Sequence, residues 1–125
     1  MTFNWEAKTI LIAEDEPINF LFLKKILEPT KATIIKADNG KKAIDIIKEN
    51  KNIDIVLMDI YMPEIDGFEA TEIIKKENPE LPVIAQTFHD NKIDKEKIQN
   101  ASFDDFINKP INVSKLLMII DKYLK

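Results

Sequence analysis

Short apolar runs alternate with segments of helical period from Ile10 to Leu124, and this alternation constrains the fold more than any other feature of the chain. Alternating β and α segments argue for a parallel sheet covered by helices on both faces. Five such pairs are read. The predicted strands are Thr9 to Ala13, Ala32 to Lys36, Ile53 to Met58, Pro82 to Gln86 and Asp105 to Asn108. The first, third and fourth are almost continuously apolar, as strands buried on both faces should be, so they form the centre of the sheet. Lys31 and Lys36, and Asp104 and Asp105, mark the second and fifth as the more polar edges.

Other boundaries follow from local chemistry. Pro17 opens the first helix, where a missing N–H is harmless. Asn39-Gly40 and Asp66-Gly67 hold the only two glycines, read as turn positions where positive φ is cheap. Val113, Leu116, Leu117, Ile120 and Leu124 form one apolar stripe on the last helix. The fourth helix, Lys92 to Ala101, has only Ile93, Ile98 and Ala101 as anchors, which predicts low local stability. Residues 1–8, with Phe3 and Trp5, precede the pattern as a lead-in, and 9–125 form the predicted domain.

Composition narrows the function. A chain of 125 residues fits one domain, without a fused output or kinase domain. No apolar run approaches the ~20 residues needed to span a bilayer, so no membrane association is expected. The start of the chain lacks the order of a secretory signal and there is no cysteine, which points to the cytoplasm. A net charge of -4 disfavours direct nucleic-acid binding and favours a protein partner.

Parallel strands present their carboxyl ends at one rim, where a crevice opens at the point of strand-order reversal. Ala13-Glu14-Asp15-Glu16-Pro17, Leu57-Met58-Asp59-Ile60-Tyr61-Met62-Pro63, Ala85-Gln86-Thr87 and Asn108-Lys109-Pro110 place acids, a hydroxyl and a lysine on that rim. In a flavodoxin-like strand order, 2-1-3-4-5, Glu14, Asp15 and Asp59 converge. Three carboxylates so close would raise one another's pKa or bind a cation, and an all-oxygen site with few protein ligands suits Mg²⁺. Manganese fits by ligand type as well. A carboxylate beside such an ion can attack a phosphoryl group, which makes Asp59 the predicted nucleophile. Lys109 would supply a second positive charge, and the Thr87 hydroxyl would donate to a phosphoryl oxygen only after its arrival.

Taken singly, each residue has a bland reading: acids near a helix start, an aspartate in a turn, a strand-end threonine, a surface lysine. Their conjunction, with Met62-Pro63, Asp66-Gly67 and Lys109-Pro110 at matching places, resembles the response regulator receiver family over about residues 9 to 124. Trp5 followed by Ile10-Leu11-Ile12-Ala13-Glu14-Asp15-Glu16 is most similar to receivers of hybrid histidine kinases.

The resemblance implies a (βα)5 doubly wound fold, phosphoryl transfer to Asp59 from a histidine kinase or a histidine phosphotransfer domain, and Mg²⁺ held by Glu14, Asp15, Asp59 and the Tyr61 backbone carbonyl. It implies that Phe106 rotates inward when Thr87 moves, and that the face formed by the fourth helix, fifth strand and fifth helix then changes. Self-association through that face on phosphorylation is a further implication. Such a domain is a phosphoacceptor that catalyses only its own phosphorylation and dephosphorylation.

Two positions depart from the family. Phe88 replaces a small residue, which predicts slow hydrolysis of the acyl phosphate, and Ser102 replaces a glycine, which predicts a differently built end to the fourth helix. A haloacid-dehalogenase-type phosphatase would require a second acid where Tyr61 stands. A flavodoxin-like cofactor binder would require a phosphate loop where Glu14, Asp15 and Glu16 repel phosphate. A receiver fold retained only as a protein-binding module is the remaining alternative, disfavoured by intact Asp59, Thr87 and Lys109. His89, the single histidine, is read as solvated, and Met58 and Met62 as packing.

Overall fold

A computed structural model describes residues 3–88 and 92–125, with the side chains of Phe88, Lys92 and Ile93 left undescribed. His89, and the Phe88 side chain on which slow hydrolysis was predicted, therefore lie outside the described residues. The chain runs β1 (Thr9–Ala13), α1 (Pro17–Leu27), β2 (Thr33–Ala37), α2 (Gly40–Glu49), β3 (Ile55–Asp59), α3 (Gly67–Glu77), β4 (Val83–Phe88), α4 (Lys92–Gln99), β5 (Asp105–Lys109) and α5 (Val113–Leu124). All strand pairs are parallel, in the order β2-β1-β3-β4-β5. The expected doubly wound α/β fold is the one observed.

Side-chain alternation along the strands divides the core between the two faces. Leu11, Val56 and Met58 pack against Ala43, Ile44 and Ile47 of α2 and Ala70 and Ile74 of α3. On the opposite face Ile10, Ile12, Leu57 and Ile84 meet Phe20, Leu23 and Leu27 of α1 and Leu116 and Ile120 of α5. A smaller cluster of Ile60, Ala85 and Ile98 holds α4. Trp5 joins the α1/α5 face: it is 5% exposed, its backbone N–H donates to the Thr30 carbonyl at 2.7 Å, and its indole N–H donates to Asp121 at 3.4 Å. The lead-in thus closes the end of the sheet opposite the rim.

Strand amino ends are fastened by carboxylates. Asp54 accepts from the Thr9 N–H at 2.8 Å, and Asp104 accepts from the Val83 N–H and the Lys75 ammonium, both at 2.8 Å. Asn39, Asp66 and Asn112 cap α2, α3 and α5 by accepting from the N–H three residues on, which satisfies donors that a helix start leaves open.

Three local expectations require correction. Neither glycine has positive φ. A Cβ on Gly67 would lie 2.6 Å from the Ile60 Cα and also strike the Asp59 carbonyl, and one on Gly40 would lie 2.7 Å from the Ile65 carbonyl oxygen. These glycines allow close backbone approach, not a left-handed turn. Val113 is exposed although it lies on the predicted α5 stripe: it is the first residue of the helix, and the buried part of the stripe begins one turn later at Leu116. Helix α4 ends at Gln99, two residues earlier than predicted; the Asn100 N–H still bonds to the Glu96 carbonyl, and Ala101 closes a turn onto Ile98.

Candidate functional site

Register builds the site. Ala13 pairs with Met58, so Glu14 and Asp15, just beyond β1, stand beside Asp59, the last residue of β3. Asp59 pairs with Gln86, Thr87 with Asn108 and Phe88 with Lys109, which carries the row of side chains across the sheet. Carboxylate oxygens of Glu14, Asp15 and Asp59 all lie within 4.8 Å of one another. Asp15 faces solvent, whereas Glu14 and Asp59 are buried.

Lys109 bridges the two buried acids, its Nζ lying 3.1 Å from Glu14 Oε1 and 3.2 Å from Asp59 Oδ2. Glu14 also accepts from the Asn19 amide at 2.5 Å and the Glu16 N–H at 3.2 Å. The Tyr61 N–H donates to Asp59 Oδ1 at 3.0 Å. One ammonium among three carboxylates leaves the cluster short of positive charge. Burial and then the charge of Glu14 push the Asp59 carboxyl up to about 7, while Lys109 and the Tyr61 N–H oppose the rise.

A divalent ion would relieve this repulsion. Among the described residues, Glu14, Asp15 and Asp59 are the group able to hold one, with oxygen donors only, the set preferred by Mg²⁺. A cleft of about 730 Å³ opens above them, lined by Asp15, Asp59, Tyr61 and Lys109 and, on the α1 side, by Ile18 and Phe22.

Two predicted residues stand apart from the acids. Thr87 is buried and its hydroxyl donates to Asp94 Oδ2 at 3.4 Å. Phe106 is half-buried on β5 against Ile60, Ala85 and Ile98, with the Lys95 ammonium 5.8 Å from its ring centroid. Sequence reasoning overlooked Asn19 and Asp94. Asn19 lies one helical turn into α1 on the side of Glu14, and Asp94 lies four residues before Ile98, hence on the buried side of α4. That spacing was the available signal.

Comparison with known proteins gives one consistent pattern. The family model described as response regulator receiver domain matches residues 10–121. Hybrid signal transduction histidine kinase I of Dictyostelium discoideum is 40% identical over 120 residues, a stretch covering 90% of this chain and 7% of that protein. Polar-differentiation response regulator DivK of Brucella anthropi is 34% identical, with 94% of this chain and 96% of that protein covered. Among solved structures, the signal receiver domain of a signal transduction histidine kinase from Syntrophus aciditrophicus is 31% identical with a TM-score of 0.87, over 94% of this chain and 90% of that one.

Proposed function

The chain belongs to the response regulator receiver family, and from that premise we propose that residues 9–125 form a phosphorelay domain that accepts a phosphoryl group on Asp59. The convergence of Glu14, Asp15 and Asp59 around the Lys109 ammonium is the observation that carries this reading. Glu14, Asp15 and Asp59, with the Tyr61 carbonyl, would hold Mg²⁺, which when bound supplies positive charge to the oxygens of the transferred group. Asp59 carries the attacking oxygen. Its carboxylate forms the new O–P bond as the P–N bond of a phosphohistidine breaks, and the electron pair of that bond returns to the imidazole. Lys109 contributes placement and charge, the chief demands of phosphoryl transfer. It need not give up a proton.

The donor is a histidine kinase or a histidine phosphotransfer domain. Ile18 and Phe22 on α1 line the cleft and, with Leu21 of the same helix, are exposed, which supplies an apolar surface against which such a protein can dock. Once the phosphoryl group is in place the Thr87 hydroxyl turns toward it, Phe106 follows inward, and the α4-β5-α5 face changes. Met118, exposed on α5, supports self-association through that face. Among the described residues no helix is long and apolar enough to cross a membrane, and a net charge of -4 disfavours direct nucleic-acid binding; we place the domain in the cytoplasm.

The test is incubation with a phosphorylated histidine donor, with and without Mg²⁺, followed by intact mass. A gain of one phosphoryl group that needs Mg²⁺ and is lost in Asp59→Asn is expected. A gain that persists in Asp59→Asn refutes the assignment.

A further inference from the structure

Asp94 stands on the most polar helix of the fold, yet it is 3% exposed. A carboxylate persists in such a place only where donors compensate its lost hydration. Two hydroxyls do so here. The Tyr61 O–H donates to Oδ1 at 2.5 Å, and the Thr87 O–H donates to Oδ2 at 3.4 Å. Tyr61 belongs to the loop after β3, Thr87 to β4 and Asp94 to the first turn of α4, so one side chain ties together three segments of the rim. Ile98 is the buried apolar side chain described on α4, and these polar bonds act beside it in fixing that helix.

The hydroxyl of threonine has one proton to donate. It cannot serve the Asp94 carboxylate and a phosphoryl oxygen on Asp59 at once. We propose that Asp94 is the latch of the unphosphorylated state, holding the Thr87 hydroxyl and the start of α4 until an arriving phosphoryl group draws the hydroxyl away. This rests on Asp59 being the phosphoacceptor. The two bonds differ in strength in the sense a latch requires. The long one to Thr87 is the one that must break, and the short one from Tyr61 keeps the carboxylate in place to receive the hydroxyl again. Asp94 is thus a positioning residue that acts through Thr87.

The test measures binding of beryllium fluoride, which forms an aspartyl-phosphate analogue, in the presence of Mg²⁺. Removing the competitor for the hydroxyl in Asp94→Ala should tighten binding about three- to tenfold, the span of one net hydrogen bond. The gain should vanish when Thr87→Ala is already present, and affinity for Mg²⁺ alone should not change. Unaltered beryllium fluoride binding in Asp94→Ala overturns the latch. So does an equal gain in the Thr87→Ala background or a parallel change in Mg²⁺ affinity, because either shows a general structural effect. If Asp94→Ala loses its cooperative unfolding transition, Asp94→Asn replaces it, with tightening expected and no change counted against the latch. Wild-type protein that takes neither beryllium fluoride nor a phosphoryl group refutes the underlying assignment of Asp59 and the latch with it. Normal wild-type phosphorylation with an inert Asp94 refutes the latch alone.

Discussion

Replacing Asp59 by asparagine should stabilise the metal-free protein, and the gain should depend on pH. The folded state lifts this carboxyl from its ordinary value of 3.8 to about 7, first through burial and then through the charge of Glu14. A raised pKa means that the folded form binds the proton more tightly than the unfolded chain. Its favourable contribution is complete below about pH 4 and is lost as pH rises through about 7. Asparagine has no such proton to lose. Its advantage should therefore grow by about 1.4 kcal/mol per pH unit between those limits, to a ceiling of about 4 kcal/mol. Water entering the cleft weakens the repulsion, so about 2 kcal/mol is the working expectation at pH 8. Urea unfolding in EDTA at pH 5, 6, 7 and 8 measures the difference directly. Saturating Mg²⁺ should invert the order, since a ligand at a hundred times its Kd stabilises by about 2.7 kcal/mol and the asparagine variant loses a ligand oxygen charge. An asparagine advantage that is independent of pH, or largest in acid, would refute the electrostatic account of the site.

Three further outcomes follow from packing and charge. Gln86 is fully buried and, among the described residues, neither its amide oxygen nor its nitrogen has a hydrogen-bond partner, so Gln86→Leu should raise stability by about 1 kcal/mol in chemical denaturation. Gly67→Ala should lower the melting temperature and cost about 1 to 3 kcal/mol, because the added methyl meets the backbone of Asp59 and Ile60 rather than a yielding side chain. Lys109→Met should leave Asp59 beside Glu14 without the bridging ammonium; its carboxyl should titrate higher still by carbon-detected NMR, and phosphoryl transfer from a histidine donor should fall by at least about tenfold.

Much of this architecture could be read from residue order alone, because a parallel sheet writes its buried strands as unbroken apolar runs. β1 falls where its apolar run falls, from Thr9 to Ala13. β3 begins later than its run, because Ile53 and Asp54 precede the ladder and the Asp54 carboxylate turns to the Thr9 N–H. The placement of Glu14, Asp15, Asp59 and Lys109 on one rim was legible because each follows a strand that the alternation already located. What escaped depends on contacts across the chain. Gly67 was read through its own φ, whereas its constraint comes from the carbonyl of Asp59. Asp94 carries no signal of its own among the polar residues of the fourth helix, and only the approach of Tyr61 and Thr87 reveals its burial.

The carboxylates of Asp54 and Asp104 clamp the first amides of β1 and β4 and so fasten the sheet at the end opposite the rim. A displacement begun at the rim by the proposed phosphorylation would meet those bonds at the base of β1 and β4, which leaves the sideways route from the loop after β3 through β4 toward α4 and β5. Under the proposed function, a phosphoryl group on Asp59 would thereby be read on the flank of the molecule rather than at its base.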